Sequence, residues 1–331
     1  MADAYTSAAL PSGQAGTVVG ANLVTQAYDR LVEFQLRATP QFRAIADKKV
    51  ADQTHPGSSV LFQIYSDLAD ESLATATLTE TVDPDAVAVP ATTTLSVTLA
   101  EYGRTVITTR KLDLFSLADV EPAVANIVAF NMAATLDNGV AAVLDGGSNV
   151  IRESAGSLST SAAKTTITAT DTLKGRDIRY AITKMRAANV VPRRGNFYVS
   201  YVHPEVSHDL RTETGNNIWR TPHEYQDLNS LYAGEIGAWE GCIFVETPRM
   251  TNSQSGSGSG ASQTRVYNSY VLGAQALAEA VAEEPHMTMG NVVDKFNRFR
   301  PVGWYGVLGW ARYRSDALWR IETASSVRPN A

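Results

Sequence analysis

The chain has 331 residues, 44% hydrophobic and 19% charged, so it can bury a substantial core and falls outside the disordered and collagen-like classes. A net charge of -6 with no dense Lys/Arg cluster argues against an intrinsic nucleic-acid binder and leaves only weak, local, non-specific contact. The single cysteine, Cys242, excludes an intrachain disulfide, no basic-then-apolar leader opens the chain, and no apolar run approaches the roughly 20 residues of a membrane-spanning helix. These features predict a soluble protein of a reducing cytoplasm, without a membrane partner.

Residues 1–20, rich in Ala, Gly, Ser and Thr, carry no hydrophobic period and read as an arm that something else must hold. Asn22 is placed to cap a helix with Val24, Tyr28 and Leu31 on one face, limited by Pro40. Residues 58–65 form a short β-type run. Residues 92–110 form a long one, in which Leu95, Val97 and Leu99 alternate with Ser96 and Thr98. Between these runs lie Asp67, Asp70, Glu71, Glu80, Asp83 and Asp85 with no positive charge. So long a connection belongs in a compact domain only if it projects toward something outside, and the stretch is read as a projecting acidic hairpin.

Ser116 or Asp119 opens the strongest helix, with Pro122 tolerated in its first turn, and Asp145-Gly146-Gly147 closes it. Its apolar positions Val120, Val124, Val128, Met132, Leu136, Val140 and Leu144 recur every four residues. At 3.6 residues per turn such a ridge winds round the cylinder, which predicts a spine with apolar partners on several sides. Past a Ser/Thr-rich passage, Asp171 is read as the cap of a helix running to about Asn189, with Leu173, Ile178, Ile182 and Met185 inward. A strand over Phe197 to Val202 leads into Pro204 and a helix through Leu210, an α/β layer. Residues 251–264 are read as a flexible loop, and the segments RVYNSYVLG, GWYGVLGWARY and LWRIETAS as closing strands.

The candidates for chemistry are weak. The GSGSG run at 256–260 matches neither a dinucleotide loop nor a nucleophile elbow and lacks a following Walker lysine. His203 and His208 have no third metal ligand nearby, and Cys242 sits in the apolar run CIFV without a local base. Asp70 and Glu71 lie in a polar hairpin, where neither is desolvated for acid-base work. Trp304, Tyr305, Trp310, Tyr313 and Trp319 have only Arg312 and Arg314 interleaved, which favours sheet packing over base stacking. No catalytic, cofactor or metal site is expected.

Two stretches carry a family likeness. GEIGAWEGCIFVETPRM (234–250) is similar to a glycine turn, apolar strand and E-T-P ending, and FRPVGWYGVLGWARYRSDALWRIETAS (299–325) to a closing glycine-tryptophan and isoleucine-glutamate pattern. Both, in this order of elements, resemble the major capsid proteins of tailed bacteriophages with the HK97-type fold. The resemblance implies an α+β chain divided into an N-terminal arm and helix (1–50), an E-loop (51–104), a P domain with the spine helix (105–165), an α/β A domain (166–290) and C-terminal strands returning to the P domain (291–331). It also implies hexamers and pentamers of an icosahedral head around double-stranded DNA, and a portal partner.

In that frame Gly234, Gly237, Gly241, Glu246 and Pro248 are a folding signature, with Pro248 ending the strand because it cannot donate a ladder hydrogen bond. The acidic hairpin is expected to dock on a neighbour's cations, with Arg104, Arg110, Lys111, Arg193 and Arg194 as candidates. Residues 50–100 contain no lysine, so the E-loop lysine crosslink of some family members is not expected. The roughly 50 residues before the E-loop are too few for a built-in scaffolding segment, so a separate scaffolding protein is expected; a decoration protein is left open. An encapsulin-like shell, an α/β hydrolase with dispersed catalytic residues and a monomeric β-rich adhesin are the alternatives.

Overall fold

The computed structural model describes residues 37–50, 58–65, 67–73, 76–78, 80–83, 86–88, 90–116, 120–213, 235–259, 262–291, 294, 296 and 298–328. The helix expected from Asn22, Asp85 and Gly234 lie outside these.

A short 3-10 turn, Phe42–Ile45, leads into β1 (Asp47–Val50). Strands β2 (Ser59–Ile64) and β3 (Thr93–Thr98) pair antiparallel as a two-stranded hairpin, with Ser59 opposite Thr98 and Ile64 opposite Thr93. β4 (Ala100–Thr109), α1 (Arg110–Phe115) and the 26-residue α2 (Val120–Asp145) follow. Then come β5 (Val150–Ser154), β6 (Ser157–Ser159), α3 (Gly175–Ala187), β7 (Tyr198–Val202) and α4 (Pro204–Thr212). The chain closes with β8 (Glu235–Trp239), β9 (Cys242–Glu246), β10 (Asn252–Gln254), β11 (Arg265–Leu272), β12 (Leu277–Met289), β13 (Phe299–Arg312) and β14 (Leu318–Thr323).

Besides the hairpin there are two sheets. One is four-stranded, in the order β1-β12-β13-β4; the other is eight-stranded, in the order β6-β5-β14-β11-β7-β9-β8 with β10 on β11. The eight-stranded sheet is covered on both faces, which is why β7 is buried at every position. On one face Ile178, Ile182 and Met185 of α3 and Val206 and Leu210 of α4 pack with Cys242, Phe244, Tyr267 and Val271. On the other, Phe42, Ile45 and Val140 and Leu144 of α2 pack with Val199, Tyr201, Val245 and Leu272. At roughly 1.5–3 kcal/mol for each fully buried large apolar side chain, these two layers supply most of the drive to fold.

α2 also lies along the four-stranded sheet, burying Val128 and Leu136 with Val281, Trp304 and Leu308. Trp304 donates its indole N–H to Asn131 Oδ1 at 3.2 Å. Gly139 is where Trp310 presses on the helix: a Cβ there would lie 2.7 Å from the ring. The spine with partners on several sides is thus present, and Pro122 stands in its first turn. Pro122–Asp145 is also long and apolar enough to cross a membrane by length and composition, which corrects the expectation that no such segment exists. Its buried Asp137, bound to Arg249, and its packing on both sheets mark it as the core helix of a folded domain.

Three further expectations are revised, and one strand was not expected. Residues 92–110 form two strands, because the chain leaves the hairpin at Leu99 and enters the four-stranded sheet as β4. Asp171 does not cap α3, whose N-cap is Lys174. Its buried carboxylate accepts the backbone N–H groups of Gly156 (2.8 Å) and Thr168 (2.8 Å) instead. Burial alone would raise its pKa, but these hydrogen bonds hold it below the usual carboxylate range. Residues 251–264 do not form a free loop: β10 pairs with β11, Ser257 N donates to Ile167 O at 2.7 Å, and Gly256 is enclosed by Thr264 and Ile167. β12 was not anticipated, because its Ala/Glu-rich first half has helical propensity, which pairing with β1 and β13 overrides.

Candidate assembly surface

The E-T-P-R stretch fastens the sheet to the spine. Glu240 (φ 52°) and Gly241 (φ 83°) form the tight turn that brings β9 back beside β8. Pairing with β7 continues until Thr247 N donates to Val202 O at 3.0 Å; Pro248 then ends it, and Glu246 accepts the Ser207 hydroxyl. Arg249 crosses to α2, donating to Asp137 Oδ2 (2.9 Å), Asn138 Oδ1 (2.8 Å) and Ala134 O (3.1 Å). The other oxygen of Asp137 accepts Phe42 N at 2.6 Å, so one buried carboxylate ties helix, sheet and the start of the described chain together. Arg249 was not singled out from the sequence; only the burial of Asp137 reveals its role.

The hairpin is fastened at its base and open beyond. Phe62 and Val97 are buried with Ala278 and Ala280, and Tyr313 meets Phe62 edge-on with ring centres 5.4 Å apart. Lys49 lies over the Phe62 ring and donates to Leu61 O at 3.0 Å. At Gly309 of β13 a Cβ would sit 2.1 Å from Thr98 O, so glycine is needed where the hairpin crosses the sheet. Past Ile64 the described residues run without strand or helix. Leu68, Leu73 and Leu78 are 57%, 90% and 74% exposed, which a chain acting alone has no reason to maintain. Asp67, Asp70, Glu71, Glu80 and Asp83 are exposed as well and form no ion pair among the described residues.

The five candidate cations fall into two groups. Arg104 on β4 and Arg110 and Lys111 at the start of α1 are exposed, and their side chains make no ion pair among the described residues. Arg104 lines a cleft of about 280 Å³ with Val106, Ile127, Val128, Asn131 and Trp304. Arg193 and Arg194 lie apart from these, before β7. Arg193 reaches Asp47 at 3.4 Å, and both line a second cleft of about 270 Å³ with Tyr201 and Ala274.

The side chains considered for chemistry serve the fold. His203 Nδ1 accepts Glu205 N at 3.2 Å at the start of α4, and burial lowers the pKa of the ring. Burial pushes the Cys242 thiol up, away from thiolate reactivity. Trp319 meets Tyr180 edge-on, and Tyr102 lies against Trp310. Among the described residues no His/Cys/Asp/Glu cluster has the makings of a metal site.

Two sheets, a long spine helix running along both and a hairpin beside them make up the HK97-like fold. Solved capsids carry the same fold. The capsid of Ralstonia phage GP4 superposes with a TM-score of 0.70 at 16% identity, covering 96% of this chain and 100% of that one. The cyanophage Pam1 capsid gives 0.69 at 14% identity (95% and 100%), and that of cyanophage P-SCSP1u 0.69 at 15% (94% and 96%). No curated protein sequence matches the chain. The phage capsid protein family matches residues 49–325, nearly the whole chain, and the chain belongs to that family. It is a major capsid protein that forms the shell of a phage head.

Proposed function

We propose that copies of this chain close into the hexamers and pentamers of an icosahedral head around packaged double-stranded DNA, with the acidic hairpin of each copy lying on its neighbour. The observation that carries this reading is the hairpin itself: anchored through Phe62 and Val97, it holds exposed leucines, and carboxylates that form no ion pair among the described residues, away from its own core. Residues 51–104 act as the E-loop. The P domain takes residues 105–165 with α2 and the closing strands from 291, and the A domain residues 166–290. Arg104, Arg110 and Lys111 are better placed than Arg193 to receive the hairpin, since Arg193 already has Asp47. Complementary charge of this kind sets register and partner choice more than affinity.

Assembly in the host cytoplasm would call on a separate scaffolding protein and a portal protein; a decoration protein is left open. Contact with the packaged DNA would be weak and non-specific, given the net charge of -6. Changing Asp67, Asp70 and Glu71 together to Lys tests the docking. Loss of closed shells at ordinary salt, with the subunit still folded, is the expected result; normal shells would refute it.

A further inference from the structure

We infer that the cleft between Asp47 and Tyr201 is a phosphate-binding site, in which Arg193, Arg194 and the Tyr201 hydroxyl hold a phosphate group across the joint of the two sheets. The site goes beyond the capsid reading, which gives this cleft no task.

The chain passes from one sheet to the other here. β1 enters the four-stranded sheet directly after the Phe42–Ile45 turn, and residues 273–276 carry the chain from β11 of the eight-stranded sheet to β12 of the four-stranded one. Ala44, Ile45 and Asp47 line the cleft of about 270 Å³ from one side, and Val199 and Tyr201 of β7, the two arginines and Ala274 complete it. Just before β7, Arg194 and Phe197 exchange both backbone hydrogen bonds, at 3.0 and 2.9 Å, around Gly195 at φ 57°. Side chains rarely take that backbone conformation, so glycine sets the tight turn that presents the arginine pair.

The ligand class follows from the donors. Tyr201 is only 5% exposed, yet its hydroxyl makes no hydrogen bond among the described residues. A buried O–H without a partner is costly, and this one sits in the wall of a cleft. Phe42 holds the ring edge-on, with centres 5.6 Å apart. Burial raises the pKa of the phenol while the charges of Arg194 and Arg193 act against it, so the hydroxyl stays protonated and able to donate at neutral pH. Asp47 supplies the carboxylate of the cleft: one oxygen meets Arg193 at 3.4 Å, and the other is buried without a hydrogen bond among the described residues. Two guanidiniums against one carboxylate leave the cleft positive, and one long contact uses little of the donor fork of Arg193. Two flat forks and a phenol O–H offer three separate donor groups, which suits the tetrahedral oxygens of phosphate better than the two coplanar oxygens of a carboxylate.

Titration calorimetry of the unassembled chain with inorganic phosphate, at constant ionic strength, tests the site. Binding is expected, and Tyr201→Phe, which keeps the ring and removes only the hydroxyl, should weaken it about tenfold or more. Arg193→Gln combined with Arg194→Gln should abolish it; if that variant fails to fold by circular dichroism, Tyr201→Phe carries the test. A short fluorescent DNA duplex separates the sources of phosphate. Duplex binding that Tyr201→Phe weakens and inorganic phosphate competes away assigns the group to the packaged backbone, whereas phosphate binding without duplex binding assigns it to the free ion. A wild-type chain that binds neither, or equal affinities in wild type and Tyr201→Phe, would overturn the inference. Acetate binding as tightly as phosphate would overturn it too, and would return these arginines to the carboxylates of the hairpin. Bound phosphate should also slow hydrogen exchange in residues 47–50 and 198–202, the two walls it joins; unchanged rates would remove its role at the joint. None of these measurements needs a shell, so their failure leaves the capsid reading standing, and a chain that binds phosphate but never forms shells would strike at that reading alone.

Discussion

Replacing Arg249 with alanine should unfasten the spine helix from the eight-stranded sheet. Asp137 is only 1% exposed at its side chain and Arg249 15%, so the pair works out of water. After the change, the carboxylate keeps Phe42 N but loses the guanidinium at 2.9 Å, and a buried negative charge is left without a counterion. Breaking such a pair from one side costs about 3–5 kcal/mol. That is a large share of the roughly 5–15 kcal/mol by which domains are stable. Urea unfolding of the unassembled chain, followed by tryptophan fluorescence, reads this directly. The double change Arg249→Met with Asp137→Leu removes both charges and leaves mainly the Phe42 N–H unsatisfied, at about 1–3 kcal/mol. The double variant should therefore be the more stable of the two. A loss under about 1 kcal/mol for Arg249→Ala, or a double variant weaker than the single, would refute the assignment of Arg249 as a buried tie.

Other outcomes follow from the same structure. Asp177 at the start of α3 and Glu153 of β5 are both fully buried, and burial first, then the neighbouring Glu153 carboxylate, raise the pKa of Asp177 from 3.8 to about 8. The folded state thus holds a proton that the unfolded chain releases, so this contribution to stability is complete below about pH 4 and is lost as pH rises toward 8. Asp177→Asn should flatten the decline of melting temperature across that window, and an unchanged slope would count against the raised pKa. Gly309→Ala forces a methyl to within 2.1 Å of Thr98 O. Overpacking of this kind costs about 1–3 kcal/mol, and hydrogen exchange should quicken first in residues 59–64 and 93–98. On a denaturing gel, mature particles should run as a single monomer band, because residues 50–100 hold no lysine for an E-loop crosslink; a covalent ladder would contradict this.

What the sequence disclosed followed local chemistry. The spine was legible because its four-residue ridge and the Asp145-Gly146-Gly147 stop are local signals, and α4 because Pro204 sits at its first position. β12 was hidden because its Ala/Glu-rich first half reads locally as helix, and what makes it a strand is pairing with β13 on one side and with the sequence-distant β1 on the other. Asp171 misled for a related reason: its composition suits a cap, but the N–H groups it accepts belong to the turn after β5 and to Thr168. The acidic hairpin could be read from composition alone. Which cations stand free could not, since Arg104 and Arg193 look alike in sequence, whereas Arg104 is exposed on β4 without an ion pair among the described residues and Arg193 is held by Asp47.

Negative-stain electron microscopy of the chain expressed together with the separate scaffolding protein proposed for it, beside light scattering of the chain alone, tests the central claim most directly. Closed icosahedral shells, or free hexamers and pentamers, are the predicted result. A strictly monomeric particle under both conditions would contradict it.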